Sequence, residues 1–398
     1  MMQLPPVSYA EDIWDEDIIW EEEVVLEVEE VPLASDAEKT GGASEVFTPS
    51  YGSPYTDEAS NFWTLPMDIT DEDAVWEMLT SPITVLDNGK KNAEKTQVVL
   101  RAAPDENAEG VGVVTCISQG VHVLETLENG WTLIECYSSS FKASSVSKWN
   151  MLVQGYVPTS MLKQTIPDQT YGIVIDKLTQ RLYLFKEGAL YATLLVSTGL
   201  VNSKQPWNET RSGEFLMLLP AVGGFQDGNM ICSYAIRYNS GDLLHEVPHS
   251  TTSGYSVYEP KLGEKASHGC IRVQRRKTPN GVNMKYIWDN RKSNMKLVIW
   301  EDWQGRQIPY PEDSTTLYYN PKGGKAYHTS ETCYSASGKT FTAFTYGELE
   351  ESPYSKLNRC TWCTPPLRKG EIDAINATYA AGGDHDPILT RAREKLEN

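Results

Sequence analysis

Short runs of β-branched and aromatic residues, separated by turn residues, constrain the fold of this chain more than any other feature. Runs such as "GVGVVTCI", "GIVIDKLTQRLYLF" and "ALYATLLVSTG" recur between residues 80 and 303, with Gly, Asn and Pro between them. Such runs are typical of β-strands. Helical periodicity is scarce there, and "NGVNMKYIWDNRK" is the best helix candidate. The sequence therefore predicts a mostly β protein.

Two hairpins are predicted from turn signals. Asn129-Gly130 lies between the apolar halves of "GVHVLETLENGWTLIEC", and this dipeptide favours a tight hairpin turn. The tripeptide "KEG" at residues 186–188 separates "TYGIVIDKLTQRLYLF" from "ALYATLLVSTG". Both runs alternate apolar and polar residues, which indicates that they pair as strands.

Acidic charge is concentrated at the N-terminus. Residues 1–80 hold 21 Asp and Glu against one basic residue, whereas the rest of the chain holds 33 acidic and 34 basic residues. Because no basic face is evident to neutralise phosphates, nucleic acid is excluded as a partner. Residues 1–79 are predicted to be an acidic, largely disordered linker; docking of its aromatic residues on the chain's own domains or on a basic partner is the alternative. The sequence contains no run of eighteen or more apolar residues, so no membrane-spanning segment is predicted.

The stretch "KASHGCIRVQ", residues 265–274, is the strongest candidate for chemistry. In an extended segment His268 and Cys270 would point to the same side. A histidine close to a cysteine stabilises the thiolate, which is the nucleophilic form. Backbone N–H groups at Gly269 and Cys270 are suited to an oxyanion. The residues alone also allow a zinc site that includes His245, or a buried thiol without a catalytic role.

The context of this stretch resembles the L,D-transpeptidase catalytic domain of the YkuD type. That family has a histidine, a variable segment, then Ser/Thr-His-Gly-Cys followed by an apolar residue and Arg or Asn. "SHGCIR" at residues 267–272 matches position by position, and "GIVIDKLTQRLYLFKEG", "LLVSTG" and "ETRSGEFLML" match earlier parts. Arg211 stands where the family usually has proline. The resemblance covers residues 168–303.

The resemblance implies a cysteine acyl-transfer mechanism. Cys270 would be the nucleophile and form a thioester with a peptidoglycan stem tetrapeptide, releasing the terminal D-alanine. His268 would be the general base and later the general acid. Gly269 would supply an oxyanion donor from its backbone. No cofactor is implied for catalysis.

The resemblance also implies supporting residues. His245 would position the site, with His249 as the alternative upstream histidine. Arg272 and Ser267 would contact substrate, since an arginine fork binds carboxylates at two points. A structural ion pair is the alternative role for Arg272.

Residues 80–164 resemble a bacterial SH3 domain. The matching features are "VVLRAAPDENAEGVGVV", "GVHVLETLENGWTLIE" and "GYVPTSML", while "YSSSFKASSVSKWNMLVQ" is longer than the usual loop. Such domains commonly bind cell-wall peptides, and a packing or spacer module is an equally weighted alternative. Cys116 and Cys136 would lie in its strands, either paired or in the core.

Four metal-ligand residues lie near the C-terminus, in "KAYHTSETC" and "RCTWC": His328, Cys333, Cys360 and Cys363. A two-residue gap lets two sulfurs reach one ion, and four N/S ligands are typical of structural zinc. Residues 316–366 are therefore predicted to be a zinc-binding module, with disulfides as the alternative. Residues 367–398 are predicted to be a tail with short polar helices.

The sequence thus predicts an SH3-like small barrel, a β-rich L,D-transpeptidase domain and a small cysteine/histidine tail module. The implied function is formation of 3→3 peptidoglycan cross-links. The alternatives are an L,D-carboxypeptidase that trims stem tetrapeptides and a non-catalytic wall-binding protein. Peptidoglycan stem peptides are the expected partners and the cell envelope is the expected location, with the leader absent from this chain. The sequence does not indicate an oligomeric state.

Overall fold

The computed structural model describes residues 68–142, 144–201, 204–218, 221–300, 307–333, 338–360, 363 and 365–380. These residues form three β-sheets and three α-helices, and the prediction of a mostly β protein is confirmed. Most of the predicted acidic linker, residues 1–67, and residues 381–398 of the predicted tail lie outside the described residues. No described helix is long and apolar enough to cross a membrane.

The first sheet has seven antiparallel strands and is called here the N-terminal β-domain. Its strands are β1 (Ile83–Leu86), β2 (Gln97–Arg101), β3 (Gly110–Thr115), β4 (Gly120–Thr126), β5 (Trp131–Ser139), β6 (Trp149–Pro158) and β7 (Leu162–Thr165). The strand order is β3-β2-β6-β5-β4-β1-β7. The hairpin predicted at Asn129-Gly130 joins β4 and β5 and is confirmed. Gly130 has φ +84°, which glycine adopts without strain. That this segment is an SH3 domain stays a prediction.

Apolar side chains from β2 to β6 form the core of this domain. Leu100, Val114 and Ile134 are completely buried in it. Cys116 and Cys136 lie in the same core and are free thiols. Of the two predicted roles for these cysteines, the structure shows core packing.

The second sheet has ten strands. They are β8 (Tyr171–Asp176), β9 (Arg181–Lys186), β10 (Ala189–Ser197), β11 (Gly213–Leu216), β12 (Gly223–Asp227), β13 (Met230–Asn239), β14 (Asp242–Glu246), β15 (His249–Ser250), β16 (Ile271–Val273) and β17 (Lys296–Trp300). The order is β11-β17-β8-β9-β10-β16-β14-β13-β12, and β15 pairs with β13. The pairs β14–β16 and β8–β17 are parallel. The hairpin predicted around "KEG" joins β9 and β10 and is confirmed.

One short helix closes the main core of this sheet. Helix α2 (Met284–Asp289) lies within the predicted helical segment, so that prediction is confirmed. The side chain of Asn283 accepts a hydrogen bond from the Tyr286 amide at 3.0 Å and caps the helix. Met284 and Ile287 are buried among strand residues of the same sheet.

A helix that the sequence analysis did not expect lies at the end of the predicted linker. Helix α1 (Glu72–Thr80) begins after Asp71, whose carboxylate accepts from the Ala74 amide at 3.1 Å. Its apolar side is buried against β8, β9 and β17 of the second sheet. Tertiary packing of this apolar stripe stabilises a helix that is too short to persist alone.

A third, four-stranded sheet lies near the C-terminus. Its strands are β18 (Thr316–Tyr319), β19 (Ala326–His328), β20 (Thr342–Thr345) and β21 (Asn358–Arg359), in the order β20-β18-β19-β21. Leu317, Tyr327 and Phe344 are buried in its core. Helix α3 (Lys369–Ala380) follows in the predicted tail.

The N-terminal β-domain is docked against β11 of the second sheet. The Leu216 amide donates to the Ser118 carbonyl at 2.7 Å, and Gln119 forms a β-bridge with Phe215. Ile83 packs with Leu216 in a small apolar cluster. This contact brings the β-domain next to the residues that precede β11.

Candidate active site

The reactive motif lies in a loop, residues 265–270, that leads into β16 and is called here the catalytic loop. Strand β16 lies between β10 and β14. Ser267 forms a β-bridge with Gly199, and its amide donates to the Thr198 carbonyl at 2.9 Å. Cys270 is the last loop residue and is partly exposed. The sheet therefore fixes both ends of the loop, and Cys270 as a residue remains partly exposed.

Gly269 has a backbone conformation and surroundings that only glycine fits. Its φ is +127°, a region that side chains rarely adopt. A Cβ atom there would lie 2.8 Å from Asp242 Oδ1 and 3.2 Å from Arg211 Nη1. This backbone is not extended, so the predicted same-side arrangement of His268 and Cys270 does not follow from strand alternation.

Hydrogen bonds within the loop involve Ser267 and Thr210. Ser267 Oγ donates to the Cys270 carbonyl at 2.5 Å and accepts from the Gly269 amide at 3.2 Å. Thr210 Oγ1 donates to the Gly269 carbonyl at 2.7 Å. Ser267 is 1% exposed. Its hydroxyl shapes the loop, and the predicted contact of Ser267 with substrate stays a prediction. The Gly269 amide already has an acceptor, so its oxyanion role stays a prediction.

The thiol of Cys270 is held in its neutral form. Burial, and next the negative charge of Asp242, raise the pKa of Cys270 to about 11. The Leu243 amide and the charges of Arg272 and Arg211 act in the opposite direction. The predicted stabilisation of a thiolate by His268 stays a prediction. A base must remove the thiol proton when Cys270 attacks.

His268 is exposed and lies next to Gly269 in the catalytic loop. Desolvation of its ring, and next the positive charge of Arg272, lower its pKa, whereas Asp227 raises it. The positive charge of Arg272 also lowers the pKa of Cys270, so the same guanidinium acts on both residues. A histidine whose pKa is lowered is neutral at pH 7 and can accept a proton.

His245 lies in β14, directly beside the motif. It pairs with Arg272 across the parallel β14–β16 ladder. The ring is 2% exposed and Nδ1 lies 2.7 Å from the Glu246 carbonyl. Since a carbonyl only accepts, Nδ1 carries the proton and Nε2 offers a lone pair. Burial lowers the pKa of His245 to about 4. His249 instead pairs with Ile231 in the β13–β15 ladder, a geometry that favours His245 as the upstream histidine.

Arg272 is buried between the catalytic loop and the segment before it. Its Nη1 donates to the Ala266 carbonyl at 2.8 Å, and its guanidinium lies 5.4 Å from the Tyr258 ring. Only 7% of the residue is exposed. The hydrogen bond shows a structural role, and the predicted contact with a substrate carboxylate stays a prediction.

The segment 250–262 precedes the catalytic loop and is attached to neighbouring strands and loops by ion pairs and a hydrogen bond. Glu259 pairs with Arg275 and with Arg276, each at 3.1 Å. The Tyr255 hydroxyl donates to Glu246 at 3.0 Å, and Arg275 lies over the Tyr255 ring at 4.1 Å. The sequence analysis did not identify these residues, because their pairing depends on contacts between three separate segments.

A buried ion pair behind the loop was also missed. Arg211 Nη1 lies 3.2 Å from Asp242, and both residues are almost completely buried. The sequence analysis noted Arg211 only as a departure from the family's proline. No sequence spacing connects the two residues, which are 31 positions apart.

The tail residues predicted to bind metal come together. One ligand atom from each of His328, Cys333, Cys360 and Cys363 lies within 4.8 Å of the other three. His328, Cys333 and Cys360 are buried. Among the residues that the structure describes, this is the group of His, Cys, Asp or Glu side chains whose ligand atoms lie close enough together to hold a metal ion. His245, His268 and Cys270 do not form such a group, so the alternative of a zinc ion at the catalytic motif is not supported.

The donor atoms in the tail also have the separations of a tetrahedral site. Cys333 Sγ and Cys360 Sγ are 3.8 Å apart, and Cys363 Sγ lies 3.6 Å from His328 Nδ1. A tetrahedron with Zn–S of about 2.3 Å and Zn–N of about 2.0 Å has edges of about 3.8 and 3.5 Å. The Thr329 amide donates to Cys363 Sγ at 3.4 Å, a contact that orients a thiolate ligand. The residues therefore fit a metal ion.

The fold and site suit a cysteine acyl-transfer domain, in which the partly exposed Cys270 follows His268 by two positions and directly precedes β16. Residues 170–299 match the family model of the L,D-transpeptidase catalytic domain, YkuD. This segment of the chain is therefore an L,D-transpeptidase catalytic domain. No match was found among curated proteins.

Solved structures of L,D-transpeptidases also match. The Stackebrandtia nassauensis enzyme is 16% identical over 33% of this chain and 56% of its own, with a TM-score of 0.25. A Mycobacterium tuberculosis H37Rv enzyme is 16% identical over 37% and 64%, with a TM-score of 0.27. The Mycobacterium smegmatis enzyme is 14% identical over 56% and 92%, with a TM-score of 0.27. The chain thus spans less than two thirds of the first two. The assignment of the catalytic domain therefore depends on the family match at residues 170–299.

Proposed function

We propose that the protein is a peptidoglycan L,D-transpeptidase that forms 3→3 cross-links through a thioester on Cys270. The observation that carries this proposal is the place of Cys270, partly exposed at the start of β16 and between His268 and Arg272, inside the matched catalytic domain. The chain has no second cysteine in this loop. Peptidoglycan stem peptides are the proposed substrates, and the protein would act outside the cytoplasm, at the cell wall.

In the first half-reaction, the stem tetrapeptide is the acyl donor. His268 takes the thiol proton while Cys270 Sγ attacks the carbonyl carbon of the third stem residue. The carbon–nitrogen bond to the terminal D-alanine then breaks. His268 returns the proton to the leaving amine, and a thioester remains on Cys270. Because the thiol pKa is raised to about 11, this transfer of a proton is required at neutral pH.

In the second half-reaction, an amine from a neighbouring stem attacks the thioester. His268 accepts a proton from that amine, and the returning thiol leaves with a proton. A new amide bond joins the third residues of two stems. Attack by water would instead release a tripeptide, which is the carboxypeptidase outcome.

Two buried residues support the reacting groups. His245 is neutral at pH 7 because burial lowers its pKa to about 4, so its Nε2 can accept a hydrogen bond from substrate. The positive charge of Arg272 acts on both His268 and Cys270. This charge favours the carboxylate-bearing end of a stem peptide and the negative charge that develops during attack.

The tail module is proposed to hold one structural zinc ion through His328, Cys333, Cys360 and Cys363. When bound, a zinc ion with four protein ligands contributes folding free energy and leaves no position open for a reaction. The 3.8 Å and 3.6 Å separations of the ligand atoms support this assignment over disulfides.

The function is tested with purified protein and stem tetrapeptides, analysed by mass spectrometry. The expected products are cross-linked dimers and free D-alanine in equal amounts, both absent for Cys270→Ala. Release of tripeptide without dimer would establish the carboxypeptidase alternative. Binding to isolated cell walls without any turnover would establish the non-catalytic alternative and contradict the proposal.

A further inference from the structure

Two segments that depart from their family patterns contact each other. The first is the β5–β6 loop, which lies within the stretch "YSSSFKASSVSKWNMLVQ" that is longer than the usual loop of the SH3 domains that this segment resembles. The second is Arg211, which replaces the usual proline of the catalytic domain. Each departure belongs to a different domain, yet the structure joins them in one buried interface.

Arg211 makes contacts with both domains. Its Nη2 donates to the Ser140 carbonyl at 2.6 Å and to the Trp207 carbonyl at 3.0 Å. Its guanidinium lies 3.9 Å from the centre of the Phe141 ring. Its Nη1 pairs with Asp242 at the start of β14. One side chain therefore connects the β5–β6 loop to the second sheet.

Further contacts attach residues 207–212 to the same part of the β-domain. The rings of Trp149 and Trp207 meet edge to face at 6.0 Å, and Lys142 lies over the Trp207 ring at 5.3 Å. The Ser212 amide donates to Asn150 Oδ1 at 2.7 Å. The segment that carries Arg211 is thus fixed by the N-terminal β-domain at several points.

The opposite side of the Arg211–Asp242 pair contacts the catalytic loop. The position of a Cβ on Gly269 is 2.8 Å from Asp242 Oδ1 and 3.2 Å from Arg211 Nη1. Thr210, the neighbour of Arg211, donates its hydroxyl to the Gly269 carbonyl. The pair and Thr210 therefore contact the residue next to Cys270 from two directions.

The burial of this pair indicates a requirement for defined geometry. Arg211 is 1% exposed and Asp242 is 3% exposed. A buried ion pair adds little net stability compared with apolar residues of similar volume, because both charges lose their hydration. Removing one partner leaves an uncompensated charge beside Gly269. The pair is better explained by the position that it gives to the backbone it touches.

We propose that Arg211 is a positioning residue through which the docked N-terminal β-domain sets the geometry of the catalytic loop. The β-domain is then part of the catalytic unit, in addition to any role in wall binding. The turnover measurements below rest on the proposed function, whereas the chemical modification of Cys270 does not.

The test compares four variants of the full chain. Arg211→Met removes the charge and the fork at similar length, and Arg211→Lys restores the charge alone. Phe141→Ala removes the ring over the guanidinium from the β-domain side. Lys296→Met is the matched control, since Lys296 is also a buried cation but pairs with Glu214 on the α1 side of the sheet.

Four quantities are measured for each variant: kcat with stem tetrapeptide, KM with the same substrate, the rate at which iodoacetamide modifies Cys270, and the midpoint of thermal unfolding. A displacement of about 1 Å in a catalytic group can cost about 100-fold in rate. We expect Arg211→Met to lower kcat by about 10- to 100-fold with little change in KM. Arg211→Lys should recover part of this loss, and Phe141→Ala should show a smaller loss in the same direction. The rate at which iodoacetamide modifies Cys270 should change in the same variants in which kcat changes.

Lys296→Met should lower the unfolding midpoint without changing kcat or the modification rate. The proposal is overturned if folded Arg211→Met keeps wild-type kcat and a wild-type modification rate. If Arg211→Met does not fold, Phe141→Ala decides, and unchanged values there also overturn the proposal. Wild-type protein without any turnover would contradict the proposed function, and the modification rates would still decide the role of Arg211.

Discussion

Two groups of cysteine and histidine in this chain have opposite designs. At the catalytic loop, one sulfur is left partly exposed and its neighbours are held by backbone hydrogen bonds. In the tail, four donor atoms converge within 4.8 Å and three of their residues are buried. The same residue types thus give one site that presents a single atom to a substrate and another that surrounds an ion.

The difference lies in what the surrounding chain does with each sulfur. Cys270 precedes a strand, and Gly269 beside it accepts a conformation that only glycine tolerates. Cys360 and Cys363 are separated by two residues and lie close to ligands from β19 and the turn after it. Cys270 has to admit a substrate carbonyl, whereas the tail ligands have to enclose a metal ion. Because separate residues meet these two requirements, we expect a substitution at one site to leave the other unchanged.

The largest expected effect is on the reactive sulfur. Cys270→Ser should lower turnover by at least about 10³-fold, because the hydroxyl is a much weaker nucleophile at this site. Metal content and the unfolding midpoint should stay at wild-type values. The measurement is kcat with stem tetrapeptide beside metal analysis of the same sample. Wild-type turnover in this variant would show that another residue is the nucleophile.

The next effect concerns the tail. Cys363→Ser should reduce bound zinc from about one ion per chain to near zero, since structural sites need all four ligands. The tail should then lose its cooperative unfolding transition, whereas kcat should remain within about twofold of wild type. Elemental analysis after dialysis provides the measurement, with Cys232→Ser, a buried cysteine outside both groups, as the control. Zinc retained in Cys363→Ser would contradict the four-ligand site.

A smaller effect is expected from Gly269→Ala. The added Cβ would lie 2.8 Å from Asp242 Oδ1, at φ +127°. Such backbone strain costs about 1–3 kcal/mol, and relief by a shift of the loop should lower kcat by about 10- to 100-fold. Gly130→Ala has a positive φ and no atom within 4 Å, so it is the matched control for strain alone. Equal kcat in both variants would contradict the role given to the catalytic-loop geometry.

The smallest effect is on stability as a function of pH. The pKa of His245 falls from 6.5 to about 4 on folding, so the unfolded chain binds the proton first as pH decreases. The stability that the neutral, buried ring contributes is complete above about pH 6.5 and is lost as pH falls toward 4. His245→Gln should flatten the dependence of the denaturation midpoint on pH in this window. An unchanged slope in His245→Gln would show that the buried ring does not titrate as described.

Local signals in the sequence were sufficient for parts of the molecule. Asn129-Gly130 and "KEG" predicted hairpins that the structure contains. The spacing of Cys360 and Cys363, with His328 and Cys333 upstream, predicted four ligands that do converge. These predictions depend on turn chemistry and short spacings, which act over a few residues.

Long-range contacts were not predictable in the same way. Helix α1 was assigned to a linker because its stability comes from burial against a sheet that begins about ninety residues later. The Arg211–Asp242 pair and the raised pKa of Cys270 depend on which charges the fold buries together. The motif indicated candidate reactive residues, but the protonation state of the Cys270 thiol depends on its surroundings in three dimensions.

The most direct test of the central claim is mass spectrometry of the protein after reaction with a carbapenem, which traps a cysteine acyl-enzyme. The account predicts one covalent adduct per chain, located on the peptide that contains Cys270, with none on the peptides of Cys333, Cys360 or Cys363. The same single adduct should form in Cys363→Ser and be absent in Cys270→Ser. An adduct located on any other cysteine, or turnover of stem peptides by Cys270→Ser, would contradict the assignment of Cys270 as the nucleophile.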